Sequence, residues 1–430
     1  MSLGPITLFD KSVIHLLNFD EAALFGQFYR VNLTPMFFVE TLADLTKEKG
    51  LRPGQTPEKL VEEIAAKTAN LTFDPSAHHM RLVLGDLHGD TVLMDRRPHL
   101  PGGRHVTSEG KRGIVFAGSP EVDAFYRWQA GRFREIEVDT ARGWRESLEA
   151  NRIEKEPVER LFPRGRPKTL VEVKAHAEGL VSVRNDRAFL AWLDTLGVEM
   201  SHRGEILQRW LLAGRPPITE FAPYAAYVAT VDLFFRGAVA ADLISNQRAS
   251  HAADIAYLYY LPFCMVFTSN DRLHAQTVPL FMTDRQQFVS GVNLKDDLRR
   301  LDEHFSSLPE EVRRRGVISF EPPDDDSYLT TRLWKRFLPG WRPGERAARR
   351  KERRPEEDAK IMEQFKAQRD APPGPRVGAD EADYVIIERY YPYQVGKWRI
   401  FPPEVEEGEK ARRAAEAAKK AEQPPDPEQV

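Results

Sequence analysis

The sequence predicts an α/β protein, on three observations. A short apolar run, ITLF (6–9), ends at Asp10 and leads into a helical pattern, as a buried strand passing into a helix would. A second run, CMVFT (264–268), ends at Ser269-Asn270-Asp271 and is again followed by amphipathic helical sequence. Around them lie helical segments with recognisable starts, such as Thr34-Pro35, where Thr can cap and Pro suits the first turn.

After Asp10 a helix is expected from about Ser12 to Asn18, then another over DEAALFGQFYR. Beyond Thr34, the residues Phe37, Phe38, Leu42 and Leu45 recur at helical spacing, and Gly50 suits a stop. PEKLVEEIAAKTANL adds a further amphipathic helix. RLVLGDL (81–87) and TVLMD (91–95) read as two β-prone segments joined by His88-Gly89-Asp90, a hairpin signal. RRPHLPGGRHVTSEGKRG (96–113) reads as loop. Helical sequence resumes near Ser119 and continues to about Arg248, with breaks at Pro163, at Pro167 and in LAGRPPITEFAPY. Ser250 suits the cap of a helix through Tyr260 that Pro262 ends, and LKDDLRRLDEHF (294–305) forms another helix. Past Leu338 the composition turns to charge and Pro/Gly, through WRPGERAARRKERRPEEDAK and APPGPRVGADEADY, and the last residues read as disordered or loosely helical.

At 430 residues the chain exceeds one typical domain, so it holds several compact units or one unit with a large insertion. A formal charge of -3 argues against a wholly basic nucleic-acid binder while leaving room for a local basic surface. One cysteine, Cys264, rules out a disulfide within the chain and suits a reducing compartment. The opening residues lack a basic stretch followed by a long apolar one. The longest apolar run, AYVATVDLFFRGAVAADLI, carries Asp232, Arg236 and Asp242 and reads as a buried helix. The expectation is a soluble, cytoplasmic protein without a membrane span.

Four acids stand out by position. Asp10 and Asp271 end apolar strands, Glu40 lies in the helix after Thr34, and Asp254 lies near a helix start. In an open parallel sheet, ligands gather beyond the carboxyl ends of the strands. Carboxylates crowded into one cleft repel one another unless a cation sits between them, and hard oxygen donors select Mg²⁺ or Mn²⁺. Such an ion activates water and neutralises phosphate charge, the chemistry of phosphodiester hydrolysis.

Their order resembles that of PIN-domain-like nucleases. LFDKSVI matches the family's apolar-Asp-Ser/Thr opening with Lys11 interposed, and FFVETLADL supplies the downstream Glu. ADIAYLYYLPFCMVFTSND supplies the later Asp and the Thr-x-Asp strand end, with one residue more between Thr268 and Asp271 than usual. The resemblance implies a three-layer core with a central parallel sheet, formed by residues 1–75 and 225–305. A mainly helical insertion with a β-hairpin (76–224) would interrupt it, and a charged, partly disordered extension (306–430) would follow. It further implies that Asp10, Glu40, Asp254 and Asp271 bind Mg²⁺ or Mn²⁺ and cleave RNA or DNA, with Ser12 and Asn270 as supporting contacts. About 210 residues separate Glu40 from Asp254, far more than typical members have there.

Other readings stand beside this one. The fold could serve as a non-catalytic interaction module, with protein partners on the insertion or tail. Gly-Asp-Leu-His-Gly (85–89) resembles the first motif of calcineurin-like metallophosphatases, but the family's Gly-Asp-x-x-Asp-Arg and Asn-His segments do not follow. The histidines at 78, 79, 88, 99 and 105 lack the paired spacing of a closed zinc site. His251, His274 and Arg248 flank the later acids and could meet substrate. The basic run Arg342–Arg354 could follow a nucleic-acid backbone, and Trp334, Trp341, Tyr390, Tyr391, Tyr393 and Trp398 could stack bases or anchor a tail. Each acid also has a plain structural role open to it. Asp10 could cap a helix, Asp254 could favour a helix dipole, and Asp271 could make a turn. Glu40 could be a surface charge, with Asp44 on the same face as the real ligand.

Overall fold

A computed structural model describes residues 4–48, 50–68, 73–118, 120–150, 156–163, 165–344, 355–378, 381–388, 392–408 and 410–411. Ten strands are described, in chain order β1 (Ile6–Phe9), β2 (Arg30–Leu33), β3 (Phe73–Pro75), β4 (Arg104–Ser108), β5 (Lys111–Phe116), β6 (Val266–Ser269), β7 (Gln287–Ser290), β8 (Tyr384–Ile387), β9 (Gln394–Val395) and β10 (Trp398–Arg399).

The main sheet has five strands in the order β3-β2-β1-β6-β7. Every pairing in it is parallel. The chain fills one side of β1 with β2 and β3, then crosses to the other side for β6 and β7. That reversal makes the β1/β6 boundary the topological switch point, where open parallel sheets present a crevice at their carboxyl ends. Register places Leu8 beside Phe267 and Phe9 beside Thr268, so both strands end level.

All four residues of β1 and of β6 are buried, as a strand covered on both faces requires. Pleat alternation sends Phe9 and Phe267 to opposite faces. Phe9 packs on Phe25 and Phe37, whereas Phe267 packs on Tyr257 and His274. The Phe25 and Phe37 helices, Phe19–Phe28 and Pro35–Ala43, start on side-chain caps from Asn18 and Thr34.

The segment 79–95 differs from the hairpin read in the sequence. His79–His88 is an α-helix, with Gly89 as its left-handed C-cap. The φ of +104° at Gly89, and an Arg209 Nε that would lie 2.8 Å from any Cβ there, require glycine. Val83 and Leu87, one helical turn apart, are both fully buried. The hairpin lies instead in the stretch read as loop. β4 and β5 pair antiparallel around Glu109-Gly110, both at positive φ, as a tight two-residue hairpin turn demands.

Helices dominate from Pro120–Trp128 to Pro223–Ala240. Helix Ser250–Ala256 has Ala249 at its cap position rather than Ser250. It tightens into a 3₁₀ turn over Tyr257–Phe263 that contains Pro262. Among the described residues no helix is long and apolar enough to cross a membrane.

The region after 306 is more integrated than a charged tail. Helix Leu329–Phe337 starts on amides bonded to the buried Asp297 carboxylate, and Trp334 lies fully buried with its Nε1 donating to the Phe28 carbonyl. β8 adds to β5 in parallel. Trp398 packs edge-on to Phe320 and donates to Asp302 at 2.8 Å. Of the basic run, residues 345–354 lie outside the described residues, as do Tyr390, Tyr391 and the last residues from 412.

Candidate functional site

Asp10 and Asp271 follow the two strands that flank the switch point. The Asp10 amide donates to the Thr268 carbonyl at 3.4 Å, continuing the β1/β6 ladder by one bond. Both acids also cap helices: Asp10 accepts from the Val13 amide and Asp271 from the Leu273 amide. Capping fixes their χ angles and directs the carboxylates to the strand ends. The plain structural role and the site position therefore coincide.

Ser269 joins them. Its hydroxyl donates to Asp10 Oδ2 at 2.8 Å and accepts the Asp271 amide at 2.9 Å. Ser12 donates to Asp10 Oδ1 at 2.6 Å and accepts the Asn270 amide at 2.9 Å. These two hydroxyls hold the β1 and β6 ends in one frame.

Glu40 projects from the Pro35–Ala43 helix and accepts the Tyr257 hydroxyl at 2.5 Å. Burial pushes its carboxyl above the ordinary range, with the Asp10 charge adding to the rise while Lys11 and the Tyr257 bond oppose it. Asp254, in the Ser250–Ala256 helix, is raised to about 7. Burial is the main cause; His274 opposes it, and the negative charges of Glu40, Asp271 and Asp10 add to it. All four acids thus share one electrostatic neighbourhood. Asp10 is buried, and the other three keep intermediate exposure.

Two cations belong to the cluster. His274, one turn into the Arg272–Phe281 helix, is fully buried. Its Nδ1 lies 2.9 Å from Ser269 Oγ and 3.3 Å from Asp10 Oδ2, and its Nε2 lies 2.7 Å from the Asp254 carbonyl. Acceptors at both ring nitrogens suit the doubly protonated imidazolium. Burial alone would lower its pKa, but the Asp10 bond and the Asp10 and Asp254 charges outweigh that and raise it to about 9. Lys11 reaches the Glu40 carbonyl and Asp44 Oδ2, each at 2.9 Å. Asp44 is buried and is also approached by Lys47 at 3.4 Å, so it faces lysines instead of the other acids.

An all-carboxylate donor set, two of whose members, Glu40 and Asp254, resist ionisation through burial, fits a hard divalent cation in kind. The fit is limited by arrangement. Asp10 already receives two donors on each oxygen, and no group of three or more His, Cys, Asp or Glu side chains among the described residues is gathered closely enough to hold a metal.

Sequence reasoning named Asp10, Glu40, Asp254 and Asp271, and the structure brings them to one end of the sheet. It missed Tyr257 and Ser269 and treated Lys11 only as an interposed residue. The signal for His274 was its position three residues after Asp271, one helical turn on from the strand end.

The Gly-Asp-Leu-His-Gly string lies elsewhere. Asp86 is buried and its Oδ2 accepts the amides of Tyr224 and Ala225 at 2.8 and 3.0 Å, capping the Pro223–Ala240 helix from outside. His88 Nε2 lies 3.3 Å from His202 Nδ1, tying two helices together. The chain matches no protein-family model, and comparison with curated proteins and with solved structures finds no match.

Proposed function

We propose that the chain is a PIN-like nuclease that hydrolyses phosphodiester bonds in RNA or DNA with Mg²⁺ or Mn²⁺, in a cytoplasmic setting that its single cysteine suits. The observation that carries this reading is the meeting of Asp10 and Asp271 through Ser269 at the β1/β6 switch point. A parallel sheet buried on both faces and built from distant parts of the chain supports a PIN-like three-layer core. Asp10, Glu40, Asp254 and Asp271 would hold the ion, which when bound supplies water activation and charge neutralisation at phosphate. Ser12 and Ser269 orient Asp10, and Tyr257 orients Glu40. Arg248 and Arg272, six residues before Asp254 and one after Asp271 in the chain, are exposed, have no ion pair to another described residue, and suit a phosphate backbone.

The test is cleavage of single-stranded RNA and DNA with Mn²⁺. Activity in the wild type that falls at least a hundredfold in Asp10→Asn and Asp271→Asn supports the reading; equal cleavage by all three removes these acids from the centre.

A second reading, a non-catalytic PIN-like module that binds partners through the helical region or the C-terminal extension, is favoured by one observation. His274 and Lys11 already place two positive charges among the acids, so the cluster is partly neutralised without a bound ion.

A further inference from the structure

A cavity of about 1100 Å³ opens at the end of the sheet opposite the acids, between the Pro223–Ala240 helix and the segment leading into β7. It is as roomy as the largest ligand pockets. Its floor is apolar and aromatic. Tyr227 and Phe281 meet edge to face, with centroids 6.2 Å apart and planes at 89°, beside Ala226 and Met282. The polar atoms nearest this floor already have partners. The Tyr227 hydroxyl donates to the Leu258 carbonyl at 2.7 Å, Thr230 to the Ala226 carbonyl at 2.8 Å, and Gln286 to the carbonyls of Leu261 and Cys264 at 2.6 and 2.9 Å. What the floor offers an occupant is therefore apolar surface rather than free hydrogen-bonding groups.

The rim is charged, and three of its six charged residues, Asp95, Lys174 and Glu178, are paired. Asp95 is held by Arg97 at 2.5 Å. Glu178 pairs with Lys174, whose ammonium also sits over the Phe281 ring at 5.5 Å. Among the described residues, Arg96 and Arg285 have no carboxylate partner, and Asp284 is the single lining acid without a cation. Arg96 is anchored: its amide donates to the Pro262 carbonyl at 2.8 Å and its guanidinium touches the Arg285 carbonyl at 3.5 Å. Its φ of +70° is left-handed, a conformation non-glycine residues keep where surrounding contacts impose it. Two guanidinium groups at the mouth of an aromatic pocket match the planar oxygens of an organic acid.

We propose that this cavity binds a flat aromatic acid, its ring against Tyr227 and Phe281 and its anionic group between Arg96 and Arg285. The proposal is independent of the nuclease reading, because it uses none of the acids at the other end of the sheet.

The test uses two fluorescent probes that share a ring system. 8-Anilinonaphthalene-1-sulfonate carries the anion, and N-phenyl-1-naphthylamine lacks it. The full chain is expected to bind the sulfonate at one site per chain. Arg285→Gln, an exposed change, and Arg96→Gln/Arg285→Gln are each expected to weaken sulfonate binding, the double variant at least tenfold, with the neutral probe within twofold of wild type. Thr219→Trp, which fills the cavity from an exposed lining position, is expected to weaken both probes. Circular dichroism matching wild type establishes that each variant is folded. No stoichiometric sulfonate binding, an unchanged affinity in the folded arginine variants, or an unchanged affinity for both probes in Thr219→Trp overturns the proposal.

Discussion

His274 Nδ1 lies 3.3 Å from Asp10 Oδ2, with neither side chain more than 7% exposed. A buried charge pair at this distance persists because further hydrogen bonds satisfy both partners. Here Ser269 bonds to each of them, and Ser12, the Val13 amide and the Asp254 carbonyl complete the set.

The His274 pKa is raised from 6.5 to about 9, so the pair contributes in full below about pH 6.5. Its contribution is lost as pH rises through 9. His274→Gln is expected to lower stability on the order of 3 kcal/mol at pH 6, with the deficit shrinking by pH 10. Urea unfolding at both pH values measures this. An equal deficit at pH 6 and pH 10 would mean that the imidazole is neutral in the folded protein.

Asp254 carries the opposite consequence for a carboxylate. Its pKa rises from 3.8 to about 7, so between these values the folded state holds a proton that the unfolded chain has released. By linkage, stability falls as pH rises from about 4 to 7. Asp254→Asn is expected to leave stability unchanged at pH 4 and to raise it on the order of 2 kcal/mol at pH 8, after allowance for partial exposure. Thermal unfolding at pH 4 and pH 8 checks it; destabilisation at pH 8 contradicts it. A site that costs stability when ionised is what a binding centre displays before its ligand arrives.

Asp86 gives a control outside the acid cluster. Its carboxylate bonds two amides at the start of the Pro223–Ala240 helix, so Asp86→Ala is expected to cost about 2 kcal/mol. Cleavage of nucleic acid, assayed where the variant is folded, should stay at the wild-type rate. Unchanged unfolding in urea would show that the cap does not bear on stability.

The strand ends were legible because β1 and β6 are short, wholly buried and followed by an Asp that caps the next helix. The same local chemistry placed the Thr34 cap and the Phe37 helix. Gly89 misled because positive φ serves a hairpin turn and a helix C-cap alike, and Leu/Val-rich RLVLGDL fits either period over so short a run. β4 and β5 were hidden by charge: Arg104, Lys111 and Arg112 face outward on a small three-stranded sheet. The C-terminal anchors were obscured for a related reason, since Trp334 and Trp398 are isolated large side chains among charged neighbours, with partners far away in sequence. Tyr257 left no local signal, because its bond to Glu40 spans 217 positions. Lys11 looked like an interruption of a motif, yet its ammonium bridges the Glu40 carbonyl and Asp44.

Whether the acids at the β1/β6 boundary take up a hard cation is measured most directly by calorimetric titration of the full chain with Mn²⁺ at pH 8. Saturable binding that weakens at least tenfold in Asp271→Asn is the result expected of a nuclease centre. A wild type that gives no binding heat and no shift in unfolding temperature with Mn²⁺ contradicts it, and leaves His274 and Lys11 as the cluster's permanent counterions.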